Sequence, residues 1–412
     1  MIVRLFGFLF AAMFAVAAMA AEEHTRHDMS AMWKKSMARQ QLSVGAIFDA
    51  HGMLWRAEVR DGFIKVSYSA DTGETFSEPV NANPVPEAIS ANGETRPKIY
   101  VTASGALYLA WTQSLEVPFA GNVRFTHSED GGRTFSMPVT INNNHDPITH
   151  RFEAMGVNAK GQVFLAWLDK REAVLAKLQG RPFSGISVYA AMSDDEGKSF
   201  HPDVKVADHT CECCRIAMAI DGSDTPVIAW RHIFGNNVRD HGMARLDNDL
   251  LTGKRKASEA DVQRATDDEW EVAACPHHGP SLAFSGEVMH MTWFDNGRVR
   301  SGIFYAHTAD GGMHFSTPLA LGNADRQPSH PVVLSIGQDV YVAWKEFDGE
   351  TSSIQAMHST NGGKEWGKAW QVASTRDDAE HPLLLEKGTQ AYLSWNTLLD
   401  GYRVIPLQES GK

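Results

Sequence analysis

The sequence feature that most constrains the fold is a short turn motif that occurs five times along the chain. Each copy follows the pattern S/T-x-D/N-x-G-x-x-F/W, and the copies lie at residues 69–76, 128–135, 193–200, 308–315 and 359–366. In this pattern Asp or Asn can hydrogen-bond its own backbone, Gly can adopt a positive φ, and the aromatic ring can pack as a peg. Five copies in one chain predict a repeated unit in which the motif joins two strands.

Strand-like hairpins that end in tryptophan recur along the same stretch of chain. The six tryptophans are Trp111, Trp167, Trp230, Trp293, Trp344 and Trp395. Segment 45–59 has the same hairpin form without the terminal Trp, and successive tryptophans lie 51 to 63 residues apart, room for about four short strands. We therefore predict an all-β propeller of four-stranded blades, with seven blades favoured and six as the alternative. The last unit (381–407) lacks an outer strand, which a strand from near the N-terminus could supply.

The N-terminus has the features of a secretory signal peptide. Residues 1–20 contain one basic residue, Arg4, followed by an apolar run that ends in Ala18-Met19-Ala20, a small-residue cleavage pattern. We therefore expect an exported protein, which is periplasmic if the host is Gram-negative.

The predicted mature chain divides into a His- and Met-containing arm (21–40) and a single propeller domain (41–412). The fourth unit carries a charged insertion near 253–272 instead of the turn motif, and we expect a solvated loop there. The formal charge of the chain is −12, which becomes −13 once Arg4 leaves with the signal peptide. Acidic and basic residues are interspersed, which argues against a nucleic-acid partner. No later segment is long and apolar enough to span a bilayer, and we expect a monomer.

Three of the four cysteines are crowded into residues 208–216, which read DHTCECCRI. The fourth lies in the segment CPHHGP at 275–280, beside two histidines. The candidate ligands of these two segments are Cys211, Cys213, Cys214, Cys275, His277 and His278.

Positions at equal distance before each hairpin tryptophan should occupy equivalent places around a propeller. Fourteen to sixteen residues before the tryptophans lie six cationic or potentially cationic residues, namely Arg96, Arg151, Arg215, His278, His330 and His381. They precede the first strand of each blade, which lines the central channel, so we expect them to gather at one channel mouth. In this register Cys214 adjoins Arg215, and Cys275 is close to His278 of the next blade. The two cysteine-bearing segments should therefore form one cluster.

Three kinds of chemistry remain open for this cluster. An exported protein with an even number of cysteines commonly forms disulfides, although a bond between the adjacent Cys213 and Cys214 is strained. Thiolates beside imidazoles select Cu(I) or Zn²⁺, and Zn²⁺ favours four tetrahedral ligands. Thiol redox cycling, with Arg215 lowering a thiol pKa, is the third alternative.

The N-terminal arm favours copper among these metals. Its histidines and methionines include His24, His27, Met29 and Met32. Thioether and imidazole groups in a short polar segment suit Cu(I) or Cu(II) and contribute little to zinc binding. Candidate ligands of second rank in the fourth unit are His232, His241 and Met243. We therefore expect copper, as Cu(I) before Cu(II), with zinc as the alternative.

The five turns resemble the Asp-box (BNR) repeats of sialidase-like β-propellers. The Cys-x-Cys-Cys motif at 211–214, together with the arm, is similar to a periplasmic subset of those propellers that is associated with copper handling. This resemblance implies a copper-binding protein that acts in copper homeostasis, delivery or uptake rather than in catalysis. It also implies a copper-handling partner in the periplasm or the outer membrane.

A sialidase-like glycoside hydrolase is the alternative that the same resemblance raises. Such an enzyme needs three arginines for the substrate carboxylate and a tyrosine nucleophile, and Arg96, Arg151 and Arg215 could supply the arginines. The Arg-Ile-Pro signature is absent from the first unit, and ArgProLysIle at 96–99 is only a partial likeness. Tyr402 is the one tyrosine that we consider as a nucleophile, and propellers host many functions.

Overall fold

The structure is a computed structural model that describes residues 41–408. Seven antiparallel sheets follow one another along the chain and form the blades of a β-propeller, so the prediction of seven blades is confirmed. The strands of the first three blades are β1 (Gly45–Phe48), β2 (Leu54–Arg60), β3 (Phe63–Ser69) and β4 (Val80–Asn81); β5 (Ile89–Ser90), β6 (Lys98–Val101), β7 (Leu107–Ser114), β8 (Gly121–Ser128) and β9 (Val139–Thr140); and β10 (His150–Val157), β11 (Val163–Asp169), β12 (Ile186–Ser193) and β13 (Val204–Thr210).

The remaining four blades repeat this order from the channel outwards. Their strands are β14 (Ala217–Ile220), β15 (Pro226–Arg231), β16 (His241–Arg245) and β17 (Gln263–Arg264); β18 (Ser281–Ser285), β19 (Val288–Asn296), β20 (Ser301–Thr308) and β21 (Leu319–Leu321); β22 (Ser329–Ile336), β23 (Asp339–Phe347), β24 (Ser352–Ser359) and β25 (Trp370–Thr375); and β26 (Leu383–Lys387), β27 (Gln390–Thr397) and β28 (Gly401–Pro406). The helices are α1 (Arg171–Leu178), α2 (Asn248–Leu251) and two 3₁₀ turns (Glu259–Asp261 and Ala324–Arg326). None of the helices in the described part of the chain is long and apolar enough to cross a membrane.

The six hairpin tryptophans all lie in the strand that pairs with the inner edge of their blade (β7, β11, β15, β19, β23 and β27), and no more than 2% of each side chain is exposed. They fill layers between neighbouring blades; Trp111 of the second blade, for example, packs with Ala57 and Ile64 of the first. Because each blade buries its faces against the next, the core is a ring of inter-blade layers around the channel.

The five turn motifs share one hydrogen-bond pattern. In the first copy Ser69 Oγ donates to Asp71 Oδ1 at 2.7 Å and accepts from the backbone N–H of Gly73 at 2.7 Å. The same serine or threonine bonds recur at Asp130, Asp195, Asp310 and Asn361. In the last copy a Cβ on Gly363 would lie 1.8 Å from the Tyr305 hydroxyl, so glycine is required there by space as well as by its positive φ.

The ring closes between the first and seventh blades. The backbone N–H of Val44 donates to Glu380 Oε2 at 3.0 Å, and Asn396 Nδ2 donates to the carbonyl of Leu42 at 2.9 Å. Among residues 41–408 the seventh sheet has three strands, so the closing strand considered for this blade is not found there. Hydrogen bonds from the segment 42–44 connect the two blades instead.

The charged insertion near 253–272 is more ordered than the solvated loop that we expected. It supplies β17, the outer strand of the fourth blade, and Arg255 pairs with Asp247 and Asp261 at its start. Asp268 near its end is fully buried and accepts a hydrogen bond from Trp293 Nε1 at 2.8 Å. The insertion therefore completes a blade.

Candidate metal centre

The three cysteines of the DHTCECCRI stretch form a compact group in the loop between β13 and β14. Cys211 Sγ lies 3.8 Å from Cys213 Sγ and 3.9 Å from Cys214 Sγ, and all three sulfurs lie within 4.8 Å of one another. The residues are 1%, 5% and 1% exposed in chain order, and none is disulfide-bonded. We call this group the thiol cluster.

The loop is fixed to the blade on which it lies. The backbone N–H of Cys211 donates to the carbonyl of Arg231 at 2.9 Å, so the loop continues the contact of β13 with the end of β15. The thiols belong to the apolar layer between the third and fourth blades, beside Phe152, Ile186 and Trp230. A backbone hydrogen bond and apolar packing therefore position the three sulfurs.

The fourth cysteine reaches the same group from the following blade. Cys275 is exposed, and interaction with the Cys213 thiol lowers its pKa. Arg239 connects the two segments, because its Nη1 lies 3.3 Å from both Cys211 Sγ and the carbonyl oxygen of Ala274. The expected meeting of the two cysteine-bearing segments is thus present, with Cys275 at its rim.

The four thiols differ in their protonation equilibria. Hydrogen bonds from the Cys213 and Cys214 thiols, aided by the charge of Arg239, lower the pKa of Cys211. Burial raises the pKa of Cys214. These pKa shifts favour a thiolate at Cys211 that accepts hydrogen bonds from the neighbouring thiols.

The sulfur separations fit a single soft metal ion. At a metal–sulfur distance of about 2.3 Å, two sulfurs bound to one ion lie about 3.8–4.0 Å apart for tetrahedral to trigonal angles. The observed 3.8 and 3.9 Å fall in this range, whereas a disulfide requires about 2.05 Å. Thiol donors select Cu(I) and Zn²⁺ among the biological metals.

The histidines of the predicted register form a second group in the channel. The ring centroids of His330 and His381 are 3.5 Å apart and stacked, and His278 lies 4.3 Å from His330. His278 also stacks on Phe294 at 4.1 Å, and its contact with His330 places it with these imidazoles. Burial lowers the pKa of all three, that of His278 to about 3, so they are neutral at pH 7.

Glu94 is the member of this second group that the sequence did not reveal. It accepts hydrogen bonds from the backbone N–H and Nη1 of Arg215 at 3.0 and 2.8 Å. Its Oε1 lies 3.6 Å from His381 Nδ1 and 3.9 Å from His330 Nε2. The available signal was its position two residues before Arg96, in a segment already marked as channel-lining. Because Arg215 follows Cys214, one peptide bond connects the two groups.

The channel-mouth arginines are already in contact with acceptors. Arg96 pairs with the buried Glu380 at 3.3 Å and donates to the carbonyl of His381 at 2.6 Å. Arg151 is buried and donates to Ser90 Oγ at 3.4 Å. With the bonds of Arg215 to Glu94, the guanidinium groups of Arg96 and Arg215 each hold a carboxylate of the protein itself.

Tyr402 does not lie at the channel mouth. It is in β28, packs edge-on against Phe76 of the first blade, and its hydroxyl lies 3.0 Å from Ser394 Oγ. Burial raises its pKa, which disfavours the phenolate that a nucleophile requires.

The remaining candidates are dispersed. His277 is exposed and has a positive φ of 54°. His232 packs against Phe234 with the two rings tilted by 60°, and the buried His241 bonds Thr266 Oγ1 at 3.2 Å. Met243 packs between the fourth and fifth blades, in a different apolar layer from the thiols. Among the described residues, the group of potential ligand atoms within 4.8 Å of one another at the thiol cluster consists of Cys211, Cys213 and Cys214 and includes none of these residues. His24, His27, Met29 and Met32 lie outside the described residues.

A third group of potential metal ligands lies between the fourth and fifth blades and consists of three buried aspartates. Asp240, Asp268 and Asp295 have carboxylate oxygens within 4.8 Å of one another. Their partners are Arg264, Arg300 and Arg231, in that order. The arginines neutralise the carboxylates, so the cluster is a structural ion-pair network.

Comparison with known proteins identifies the fold alone. Searches against protein-family models and curated proteins find no match. Among solved structures, the polysaccharide lyase Uly1 matches with a TM-score of 0.53 and 9% identity over 90% of each chain. A protein of unknown function from Dyadobacter fermentans matches with a TM-score of 0.52 and 12% identity, over 89% of this chain and 97% of its own. The NanB sialidase from Streptococcus pneumoniae has a TM-score of 0.47 and 8% identity, over 86% and 83% of the two chains.

Proposed function

We propose that this protein binds Cu(I) through the thiol cluster and acts in copper homeostasis, delivery or uptake. The observation that carries the proposal is the geometry of three buried sulfurs, two of whose separations are 3.8 and 3.9 Å. They match the separation expected around one ion. A buried, preformed group of thiols is suited to a soft monovalent ion that prefers sulfur and few ligands.

The surroundings of the thiol cluster are suited to a metal–thiolate complex that carries a net negative charge. Three thiolates around Cu(I) carry two excess negative charges, and the Arg239 guanidinium lies 3.3 Å from Cys211 Sγ. Donors near a ligand sulfur stabilise its charge and fix its orientation. Zinc is the alternative ion, and it would recruit Cys275 as a fourth tetrahedral ligand.

Localisation and partner are part of the same proposal. The signal peptide predicted in residues 1–20 would deliver the protein to the periplasm, and the arm (21–40) would offer His and Met groups to copper. The exposed Cys275 beside Cys213 gives a copper-handling partner of the periplasm or outer membrane one accessible sulfur at the rim. Membership of the copper-associated Asp-box propellers is proposed on the shared turn pattern and the Cys-x-Cys-Cys motif.

The test is a Cu(I) titration of the reduced full-length protein against a chromophoric Cu(I) chelator under anaerobic conditions. We expect Cys211→Ser to weaken Cu(I) binding by more than about 100-fold, because loss of a ligand should exceed the 10–100-fold typical of an outer-shell partner. Met243→Leu is the control, since it removes a sulfur from the adjacent apolar layer without touching the thiols. Equal, negligible Cu(I) binding by the wild type and Cys211→Ser would reject the proposal.

Other outcomes would favour the alternatives. Tighter Zn²⁺ than Cu(I) binding, abolished equally by Cys275→Ser, would make a four-cysteine zinc site the better account. Intact disulfides in the native protein, with no metal bound after reduction, would support a structural or redox role. If the protein turns over a fluorogenic sialoside, and this turnover is lost in Arg96→Ala, a glycoside hydrolase becomes the better account of its function.

A further inference from the structure

We propose a second metal site, independent of the thiol cluster, in which Glu94, His330 and His381 bind a divalent ion of the Cu(II) or Zn(II) class. It lies in the channel, where the segment before β6 meets the sixth and seventh blades. Imidazole and carboxylate donors suit divalent transition ions, in contrast to the sulfur donors of the thiol cluster.

The ligand atoms already have the spacing of a coordination shell. Glu94 Oε1 lies 3.6 Å from His381 Nδ1 and 3.9 Å from His330 Nε2, and one ligand atom from each residue lies within 4.8 Å of the others. Oxygen and nitrogen ligands at about 2.0–2.2 Å from one ion lie roughly 3–4 Å apart. A small closing movement would complete the site.

Unsatisfied nitrogen atoms point to a missing ligand. Nδ1 of His278, His330 and His381 is buried in each case and has no hydrogen-bond partner. Buried imidazole nitrogens normally have a partner, so three in contiguous rings are unusual. For His381 the unpartnered Nδ1 is the nitrogen that faces Glu94 Oε1, so this orphan donor is the one that the site would use. His330 faces Glu94 with Nε2, on the other side of the ring from its unpartnered Nδ1.

The backbone before Glu94 is shaped to accept an imidazole. A Cβ on Gly93 would lie 2.2 Å from His381 Nδ1 and 2.4 Å from its Cε1, so only glycine leaves room for the ring. Gly93 therefore positions the His381 ring against Glu94, which follows Gly93 in the sequence. We assign Gly93 as a positioning residue of this site.

The contact of Glu94 with Arg215 leaves the carboxylate able to bind a metal. Each carboxylate oxygen has two lone-pair positions, and Arg215 takes one on each oxygen. Arg96 pairs with Glu380 and Arg215 with Glu94, and Lys345 is a further cation near His330 and His381. Arg215 would instead orient the ligating carboxylate.

The experiment is a titration of the full-length protein with Cu(II) alone, followed by electron paramagnetic resonance, with Zn(II) binding measured by calorimetry. A variant with Ser at Cys211, Cys213, Cys214 and Cys275 is used as the background, so that no thiol binds or reduces the ion. We expect His330→Ala or His381→Ala to weaken divalent binding at this site by at least about 10-fold and to remove nitrogen couplings from the spectrum. Gly93→Ala should weaken binding and alter the spectrum while every ligand is still present.

His314→Ala is the matched control, since His314 bonds the Asp310 carboxylate at 2.7 Å on an exposed turn without a second imidazole. It should leave divalent binding unchanged. Unaltered binding in both channel variants, or an equal loss in His314→Ala, would overturn the second site. Cu(I) binding in a chain with intact cysteines should be unaffected by His330→Ala, so failure here is distinguishable from failure of the thiol cluster.

Discussion

The thiol cluster and the channel imidazoles are neighbours in the fold but differ in nearly every physical property. The thiols are almost fully buried in the apolar layer between the third and fourth blades, beside Trp230. The imidazoles line the channel among charged groups, and the His330 and His381 side chains keep 15% and 22% of their surface exposed. The link between the two groups is the peptide between Cys214 and Arg215.

This difference teaches how one scaffold can separate two kinds of ligand. Sulfur donors in an apolar layer favour a soft ion with few ligands, and nitrogen and oxygen donors in a polar channel favour a harder divalent ion. Both groups lie on the segments that lead into inner strands, which the propeller brings together at one mouth. Changes to one group should therefore leave the other intact.

The largest effect expected beyond the ligands themselves is that of Arg239→Gln. Its guanidinium lies 3.3 Å from Cys211 Sγ and is held by Asn237 at 3.2 Å, so it offsets ligand charge from a fixed position. We expect Cu(I) affinity to fall about 10–100-fold, with divalent binding at the imidazoles unchanged. The chelator titration measures the first quantity, and calorimetry with Zn(II) measures the second.

Arg245→Gln is the control for this variant, because Arg245 pairs with Asp221 on the same blade without contacting a thiol. Similar Cu(I) affinities for Arg239→Gln and the wild type would mean that the guanidinium has no part in holding the ion. Parallel losses of Cu(I) and Zn(II) binding would break the separation of the two groups.

Cys275→Ser should have a smaller effect on affinity than on rate. Cys275 is the exposed thiol at the rim and interacts with Cys213, so we expect it to accept copper first and to pass it inwards. Cu(I) affinity should change by less than about 10-fold, or 1.4 kcal/mol, while stopped-flow loading from the chelator slows several-fold. An affinity loss as large as that of Cys211→Ser would instead identify Cys275 as a ligand.

The smallest expected effect is on the stability of the propeller fold that carries both groups. The Ser199 hydroxyl and backbone N–H lower the pKa of Asp195 to about 2, below the value of about 3.9 for an unfolded chain. A carboxyl whose folded pKa is depressed stabilises the fold above about pH 4, and this contribution is lost as pH falls towards 2. Asp195→Asn should lower the melting temperature by about 2–4 °C at pH 7, and the difference should vanish near pH 2.

Asp194→Asn changes the adjacent carboxylate, which contacts His201 instead of the turn, and should behave as the wild type. A difference between Asp195→Asn and the wild type that persists at pH 2 would mean that the turn does not act through this carboxylate.

The repeat made the fold predictable, and it made part of the site predictable as well. Equal spacing from the hairpin tryptophans placed His278, His330 and His381 together, because equivalent positions of blades meet at the channel. The prediction was less accurate where the backbone departs from regularity. Arg151 and His330 lie inside their inner strands, at irregular pairings, rather than before them.

Residues outside the repeat were harder to place. Glu94 and Arg239 are not members of the repeated spacing from the hairpin tryptophans. Their roles depend on contacts with Arg215 and Cys211, which no local sequence pattern encodes. Met243 was grouped with the cysteines by its blade, but it packs on the side facing the fifth blade. Which side of a strand a residue faces depends on register, and the irregular fourth unit gave little basis for fixing it.

The most direct test of the central claim is X-ray absorption at the copper edge of the full-length protein loaded anaerobically with one equivalent of Cu(I). If the thiol cluster binds the ion, the first shell contains sulfur alone, with about three atoms, and this shell is lost or replaced in Cys211→Ser. A first shell of nitrogen or oxygen in the wild type, or a spectrum unchanged in Cys211→Ser, would contradict the account.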